Sequence, residues 1–434
     1  MSSLPSILSP LINKWQMTTT DLIVIGAGPG GYRAAEYAAK QGLKVVIFEG
    51  DNVGGTCLNV GCIPTKTYVH SATFEEARER MVQVVPQLRA GVEGILSHPN
   101  ITLIREKAQF INAHTVSSAC GDSITAENII IATGSETKWL PIKGSDDPRV
   151  VDSTGLLNLE TLPKRLAIIG AGVIGMEFAS VFNRFGSEVT VIEYLKECLP
   201  ALDSDIAKRL RKTLEKRGIS FKMKTAVENI ADIDADVILM ATGRKPRVQS
   251  DFANAGFEYD ERKGITVDDN FETTVKGIYA IGDVNGRQML AHAAEMQAVR
   301  AVNHILGKTD GIDFNIMPAA IFTSPEAACV GPTEDQLKEQ GVAYECKKSF
   351  WRANGKALAM GETEGLLKLF VTPPSQEGDG GGSLILGCHA YGAHAADIVQ
   401  EVSVLMCKHT TLGELADMVH IHPTLSEILK SAAE

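Results

Sequence analysis

A strand that runs into a glycine turn and then a helix occurs twice, and this repeat limits the chain more than any other feature. Asp21-Leu22-Ile23-Val24-Ile25 leads into Gly26-Ala27-Gly28-Pro29-Gly30-Gly31 and the Ala-rich stretch 32–41. Leu166-Ala167-Ile168-Ile169 leads likewise into Gly170-Ala171-Gly172-Val173-Ile174-Gly175 and a helical stretch 176–185. Both satisfy G-x-G-x-x-G, in which missing side chains allow a tight turn, approach of a pyrophosphate to the helix N-terminus, and close helix packing. One match alone is weak evidence, but the strand–turn–helix context predicts two doubly wound α/β units and two dinucleotide sites. In each unit the following strand, 44–48 or 188–192, ends in an acid placed to accept hydrogen bonds from a ribose: Glu49 or Glu193. The alternative for Glu49 is a solvated strand end. After Glu193 come Tyr194 and Leu195 rather than arginine, which favours a free ribose 2′-hydroxyl over a 2′-phosphate; Lys196 is the one nearby cation.

Between the two repeats stands Gly54-Gly55-Thr56-Cys57-Leu58-Asn59-Val60-Gly61-Cys62-Ile63-Pro64-Thr65-Lys66. Two cysteines separated by four residues can close a small ring, and Lys66 shares a face with Cys62 if a helix begins there. The stretch reads as a redox-active dithiol beside a cation. The alternative is a pair of buried cysteines or half a metal site, but metal sites use closer spacing and further ligands.

Bulk properties fit an ordinary globular chain. At 434 residues, 44% hydrophobic and 22% charged, it is long enough for about three domains. The net charge of −11 argues against nucleic acid or an anionic membrane as the main partner. Eight cysteines (57, 62, 120, 198, 329, 346, 388 and 407) are too sparse for a disulfide scaffold and suit a reducing compartment, the cytoplasm. The apolar run 166–182 is broken by glycines and Glu177, so it is a buried strand and helix rather than a membrane span. Residues 1–16 precede a second methionine, Met17, carry one basic residue, and are read as a disordered or artificial extension.

The segment 54–66 resembles, nearly residue for residue, the active-site segment of the flavin-dependent disulfide reductases. Ile129-Ile130-Ile131-Ala132-Thr133-Gly134-Ser135 is similar to a second signature of that family, and Asp236-Val237-Ile238-Leu239-Met240-Ala241-Thr242-Gly243-Arg244 repeats it. Gly277-Ile278-Tyr279-Ala280-Ile281-Gly282-Asp283-Val284 resembles the family's second FAD motif, whose acid binds the ribityl chain; the alternative for Asp283 is an Asx turn or helix cap. The resemblance runs from residue 17 to the C-terminus. It implies an α/β fold with two Rossmann-like dinucleotide-binding domains, for FAD and NAD, and a C-terminal α+β dimerisation domain.

The expected boundaries are 17–148 for FAD binding, 149–270 for NAD binding, 271–314 for a second FAD segment, and 315–434 for dimerisation. By resemblance FAD falls to Gly26, Gly28, Gly31, Glu49, Thr56, Lys66, Thr133, Gly134 and Asp283, and NAD to Gly170, Gly172, Gly175, Glu193 and Gly243. The family usually places a multi-stranded meander before the second closure, and the 18 residues from 218 to 235 are too few for it. A trimmed NAD domain is expected. A helix over 68–96 with a break near Pro86 is expected, as is a helix over 291–306 whose N-terminus favours the anionic reduced flavin. In that helix Met296, Gln297 and Ala298 stand where Glu and Gly are expected. Residues 372–383 read as a flexible hairpin loop.

Near the end, His422-Pro423-Thr424-Leu425-Ser426-Glu427 resembles the family's acid–base segment, in which the histidine serves the dithiol of the other subunit and the glutamate holds its ring. A thiol is a poor nucleophile until deprotonated, so a histidine near neutrality oriented by a carboxylate is the needed base. His420 lies two residues earlier and confuses a motif-only reading; His292, His389, His394 and His409 read as structural or surface residues. Lys66 and Glu177 match the family's ion pair beside the flavin, the alternative being a generic surface pair. Acidic Glu193, the Cys-Ile-Pro-Thr-Lys wording and Leu425 look most like the dihydrolipoamide dehydrogenase branch. That branch implies a homodimer, service to lipoyl domains of 2-oxoacid dehydrogenase or glycine cleavage complexes, and no nucleic acid, membrane or metal partner. The competing readings are another disulfide or metal reductase and a poorly active structural subunit of a lipoyl complex.

Overall fold

The computed structural model describes residues 18–118, 121, 123–374 and 382–434. The N-terminal extension, Met17, Cys120 and the middle of the loop at 372–383 lie outside the described residues. The fold is mixed α/β. The chain divides into two compact units, one drawn from Met1–Thr56, Leu88–Ser135 and Lys245–Asp310, the other from Cys57–Gln87, Glu136–Arg244 and Gly311–Glu434. Among the described residues no helix is long and apolar enough to cross a membrane.

The first unit is built on parallel strands in the spatial order Ile101–Ile104, Val45–Phe48, Thr18–Ile25, Ser123–Ile131, Ile278–Ala280. Val45–Phe48 is buried at all four positions, as expected for a strand covered on both faces of a parallel sheet. The helix Pro29–Lys40 packs closely on the helix Ala291–Ile305, because a Cβ on Gly30 would lie 3.3 Å from the Ala294 Cβ. Residues 245–270, expected with the NAD-binding stretch, fold in this first unit instead. The physical reason is an aromatic cluster: Phe252 and Phe257 each pack edge-on to Phe110 with ring centroids 6.0 Å apart.

The second unit holds two sheets. One is parallel, in the order Ser220–Lys222, Glu188–Ile192, Arg165–Ile169, Val237–Met240, Val150–Val151. Between Lys222 and Val237 no strand forms; the chain makes a 3-10 turn at Ile230–Asp232. Ile230, with Val227 and Ile233 of the short segment and Leu140 and Ile142 from earlier in the chain, covers Ala167, Ile169, Ile238 and Met240 on the sheet face. Full burial of Ile230 is worth roughly 2 kcal/mol. The other sheet is antiparallel, in the order Ala319–Ile321, Glu326–Val330, Ile385–Gly392, Leu366–Val371, Glu345–Phe350, with the helix Ala395–Cys407 packed on it.

The expected break at Pro86 is displaced. One helix ends at Val69 and the next runs Phe74–Leu96 with Pro86 inside it. Arg184 explains the stop, because its guanidinium donates to the carbonyls of Tyr68, Val69 and Ser71 at 3.0, 2.7 and 3.0 Å.

Candidate active site

The dithiol segment folds as two short helices, Gly55–Val60 and Cys62–Val69, joined at Gly61. Pro64 is tolerated because it falls in the first turn of the second helix, where an amide N–H has no helical partner. Tyr68 anchors this helix: it is fully buried, donates its hydroxyl to the Leu157 carbonyl at 3.1 Å, and packs its ring on Phe74 and Phe182.

Cys57 and Cys62 are free thiols in hydrogen-bond contact, the dithiol form of the couple. Their acidities diverge. Cys57 donates to the Cys62 sulfur, and that bond, reinforced by burial, pushes the Cys57 thiol far up. The same hydrogen bond, aided by the Lys66 charge, pulls the exposed Cys62 down to about 7 against the Glu177 charge. Cys57 is held as thiol, while Cys62 ionises near neutral pH.

Lys66 lies four residues past Cys62 on the same helix and pairs with both carboxylate oxygens of Glu177, at 2.8 and 2.9 Å. Glu177 sits on the helix Val173–Phe185 with only 4% of its surface exposed. Its third hydrogen bond comes from the Phe322 amide at 2.9 Å, and the Phe322 ring lies 4.6 Å from the Lys66 ammonium.

His422 and Glu427 meet through Nδ1 and Oε1 at 2.9 Å, while the Thr424 amide donates to the other Glu427 oxygen at 2.9 Å. These bonds, the Thr424 amide foremost, hold the Glu427 carboxyl below its usual range. The His422 side chain is 79% exposed, whereas His420 is 7% exposed and occupied by Glu401 and the Met418 carbonyl. Exposure therefore separates the two histidines that the motif alone confuses. His389 is structural: fully buried, it accepts from the Asp203 amide at 3.0 Å.

The two glycine turns fit dinucleotides. A Cβ on Gly31 would lie 1.8 Å from the Gly26 carbonyl oxygen, and one on Gly175 would lie 2.1 Å from that of Gly170, so those glycines are required by the fold itself. Gly28 and Gly172 differ. A Cβ on Gly172 would meet no atom within 4 Å, and one on Gly28 only the Gly55 Cα at 3.9 Å. Each caps a helix whose N-terminus receives no side-chain cap, so the space beside it and its free N–H groups suit a pyrophosphate. Glu49 accepts from the Ala27 and Asp51 amides at 2.7 and 2.9 Å, and Glu193 from the Ala171 and Leu195 amides at 2.6 and 2.7 Å. The two acids thus fix the glycine turns.

The remaining expected residues have the following local positions. Thr56 is partly buried on the first dithiol helix. Thr133 donates to the Arg247 carbonyl at 3.1 Å, and Gly134 and Gly243 adopt φ of 73° and 100° at the two closures. Asp283 accepts from the Ser135 hydroxyl. Its turn is held by the fully buried Gln297, whose Oε1 accepts from the Gly282 amide and the Asn285 side chain at 2.7 and 2.9 Å. The Gln297 Nε2 has no partner among the described residues. Phe322, Arg184, Ser135 and Gln297 are the contributors that sequence reasoning missed; Gln297 was visible only as a departure from the expected wording.

The chain is similar to known proteins over most of its length. Residues 20–298 match the pyridine nucleotide-disulphide oxidoreductase model and 317–433 that family's dimerisation domain. The chain belongs to this family, whose members use FAD and NAD(H). It is 36% identical over 463 residues to the mitochondrial dihydrolipoyl dehydrogenase of Pisum sativum, covering 95% of this chain and 90% of that one. It is also 36% identical over 460 residues to the leghemoglobin reductase of Glycine max, covering 95% and 87%. A solved Cu(II) complex of the HOCl-induced flavoprotein disulfide reductase RclA from Escherichia coli has a TM-score of 0.87 and 34% identity, over 95% of this chain and 99% of that one.

Proposed function

We propose that the chain is a dihydrolipoyl dehydrogenase, oxidising protein-bound dihydrolipoamide to lipoamide and reducing NAD+ to NADH. The observation that carries the redox reading is the placement of Cys57 and Cys62 on adjoining short helices, with Lys66 on the Cys62 helix paired to Glu177. The substrate is supported by the 36% identity to the pea enzyme.

In the oxidised couple, a dihydrolipoyl thiolate attacks the Cys57 sulfur and Cys62 departs, because the thiol of lower pKa is the better leaving group. The second lipoyl thiol then attacks the lipoyl sulfur of the mixed disulfide, and the Cys57 sulfur departs as thiolate and takes up a proton. Lipoamide leaves with its S–S bond closed, and the electron pair stays in the Cys57–Cys62 dithiol. His422, oriented by Glu427, takes the proton from the attacking thiol. Lys66 stabilises the Cys62 thiolate. FAD would be held by Gly26, Gly28, Gly31, Glu49, Thr56, Lys66, Thr133, Gly134 and Asp283, and NAD by Gly170, Gly172, Gly175, Glu193 and Gly243. When bound, these cofactors supply the transfer of the electron pair from dithiol to nicotinamide.

A homodimer is part of the proposal, with His422 serving the partner's dithiol; Val419 and Ile421 beside it are 99% and 79% exposed apolar residues. The lipoyl domains of a 2-oxoacid dehydrogenase or glycine cleavage complex are the protein partners, and the cytoplasm is the compartment. We also propose domain limits at 17–148, 149–270, 271–314 and 315–434, adjusted because 245–270 fold with the first unit and 57–87 and 136–148 with the second. The Cu(II) complex of RclA supports a second reading, reduction of another disulfide or of a metal ion by the same dithiol. Turnover with dihydrolipoamide and NAD, set against NADH-driven reduction of glutathione disulfide or Cu(II), separates the two. Cys57→Ser is expected to abolish lipoamide turnover while FAD stays bound; retained turnover contradicts the dithiol role.

A further inference from the structure

From the segment that follows the strand Ala319–Ile321, two ties reach the Lys66–Glu177 pair and a third reaches the helix that carries Glu177. The Phe322 amide donates to Glu177, the Phe322 ring covers the Lys66 ammonium at 4.6 Å, and the Ser324 amide donates to Ser180 on the Glu177 helix at 2.9 Å. This segment is itself rigid. Ile321 and Thr323 are 4% and 2% exposed, Thr323 donates to the Pro325 carbonyl at 2.7 Å, and Arg217 donates to the Ser324 carbonyl at 2.6 Å.

We propose that Phe322 is a positioning residue for the dithiol: it shields the Lys66 ammonium from water and fixes its direction, so that the cation stabilises the Cys62 thiolate. Two opposing charges act on that thiolate, Lys66 lowering the Cys62 pKa and Glu177 raising it. Glu177 accepts two bonds from Lys66 and one from the Phe322 backbone amide, and the last does not depend on the ring. Lys66 is 27% exposed and has the ring as its apolar cover. A smaller side chain at 322 admits water beside the ammonium and screens its charge at the thiolate while leaving the carboxylate in place.

This inference rests on the dithiol reading above. The test is the pH profile of iodoacetamide alkylation of the Cys57/Cys62 peptide, read by mass spectrometry, in flavin-loaded, dithiothreitol-reduced protein. The native midpoint is expected at about 7. Phe322→Leu is expected to move it upward by about half a pH unit, slowing alkylation at pH 7 about twofold, while Phe322→Tyr, which keeps the ring, retains the native midpoint. If Phe322→Leu fails to bind flavin, Phe322→Met gives the same readout. An unchanged or lowered midpoint in the Leu or Met variant overturns the role of Phe322 and leaves the dithiol reading standing. A native midpoint at the ordinary thiol value overturns both.

Discussion

Lys66 and Glu177, 111 residues apart in the chain, form a bidentate ion pair at 2.8 and 2.9 Å on helices that Arg184 and Tyr68 lock together. The pair sets the charge felt by Cys62. Because Glu177 acts to raise the Cys62 pKa, Glu177→Gln is expected to lower the alkylation midpoint of the reduced dithiol below about 7. The sign is opposite to that for Phe322→Leu. An upward movement in Glu177→Gln would contradict the charge assignment.

The two glycines of the NAD turn should separate ligand binding from folding. Gly172→Ala adds a methyl where no protein atom lies within 4 Å, at φ −76°, so thermal stability is expected to stay native while the KM for NAD rises at least about tenfold, roughly 1.4 kcal/mol of lost binding. Gly175→Ala drives a Cβ to 2.1 Å from the Gly170 carbonyl oxygen and is expected to destabilise the unit outright. Equal effects of the two substitutions on the melting temperature would contradict the fit to a pyrophosphate.

These cases show what the amino-acid sequence discloses. Gly26, Gly31, Gly170 and Gly175 are legible because a backbone approach that excludes a side chain leaves glycine at fixed spacing. Cys57, Cys62 and the His422–Glu427 segment are legible because reactive groups cannot be exchanged for others. Phe322 was not legible, since its partner Glu177 is 145 residues away and no local period links them. Arg184 was hidden for the same reason, and the helix break was accordingly expected at Pro86 instead of beyond Val69. The shortness of 218–235 was readable as length, but its closure of the sheet face through Ile230 needed the fold.

Lys368 is a further long-range case. It is 1% exposed and donates to Asp203 at 2.7 Å and Glu334 at 2.6 Å, Asp203 being also 1% exposed. Lys368→Met leaves two carboxylates facing each other and is expected to cost about 3–5 kcal/mol. Chemical unfolding at fixed protein and flavin concentration measures it, and a loss under about 1 kcal/mol would contradict the account.

The same cluster gives a pH dependence. The Lys368 hydrogen bond chiefly holds the Glu334 carboxyl down at about 2, against 4.5 for the free group. A depressed carboxylate contributes stability that is complete above the unfolded value and lost as pH falls through the folded one. Native protein is therefore expected to lose stability between about pH 4.5 and 2, and Glu334→Gln to flatten that part of the curve. An unflattened curve would assign the acid limb to other groups.

His422 is expected to act on the lipoyl half of the reaction alone. His422→Gln should lower kcat/KM for dihydrolipoamide by about 10²–10⁴, leaving flavin reduction by NADH at the native rate. Equal loss in both half-reactions would mean that the histidine serves folding or assembly.

The most direct test of the central claim is the visible spectrum of the flavin-loaded protein during anaerobic addition of dihydrolipoamide and then NAD. The account predicts a long-wavelength thiolate-to-flavin band on the first addition, absent in Cys62→Ser, and NADH on the second. A flavin spectrum that ignores dihydrolipoamide while responding to NADH would contradict the assignment of substrate and move it to another disulfide or a metal ion.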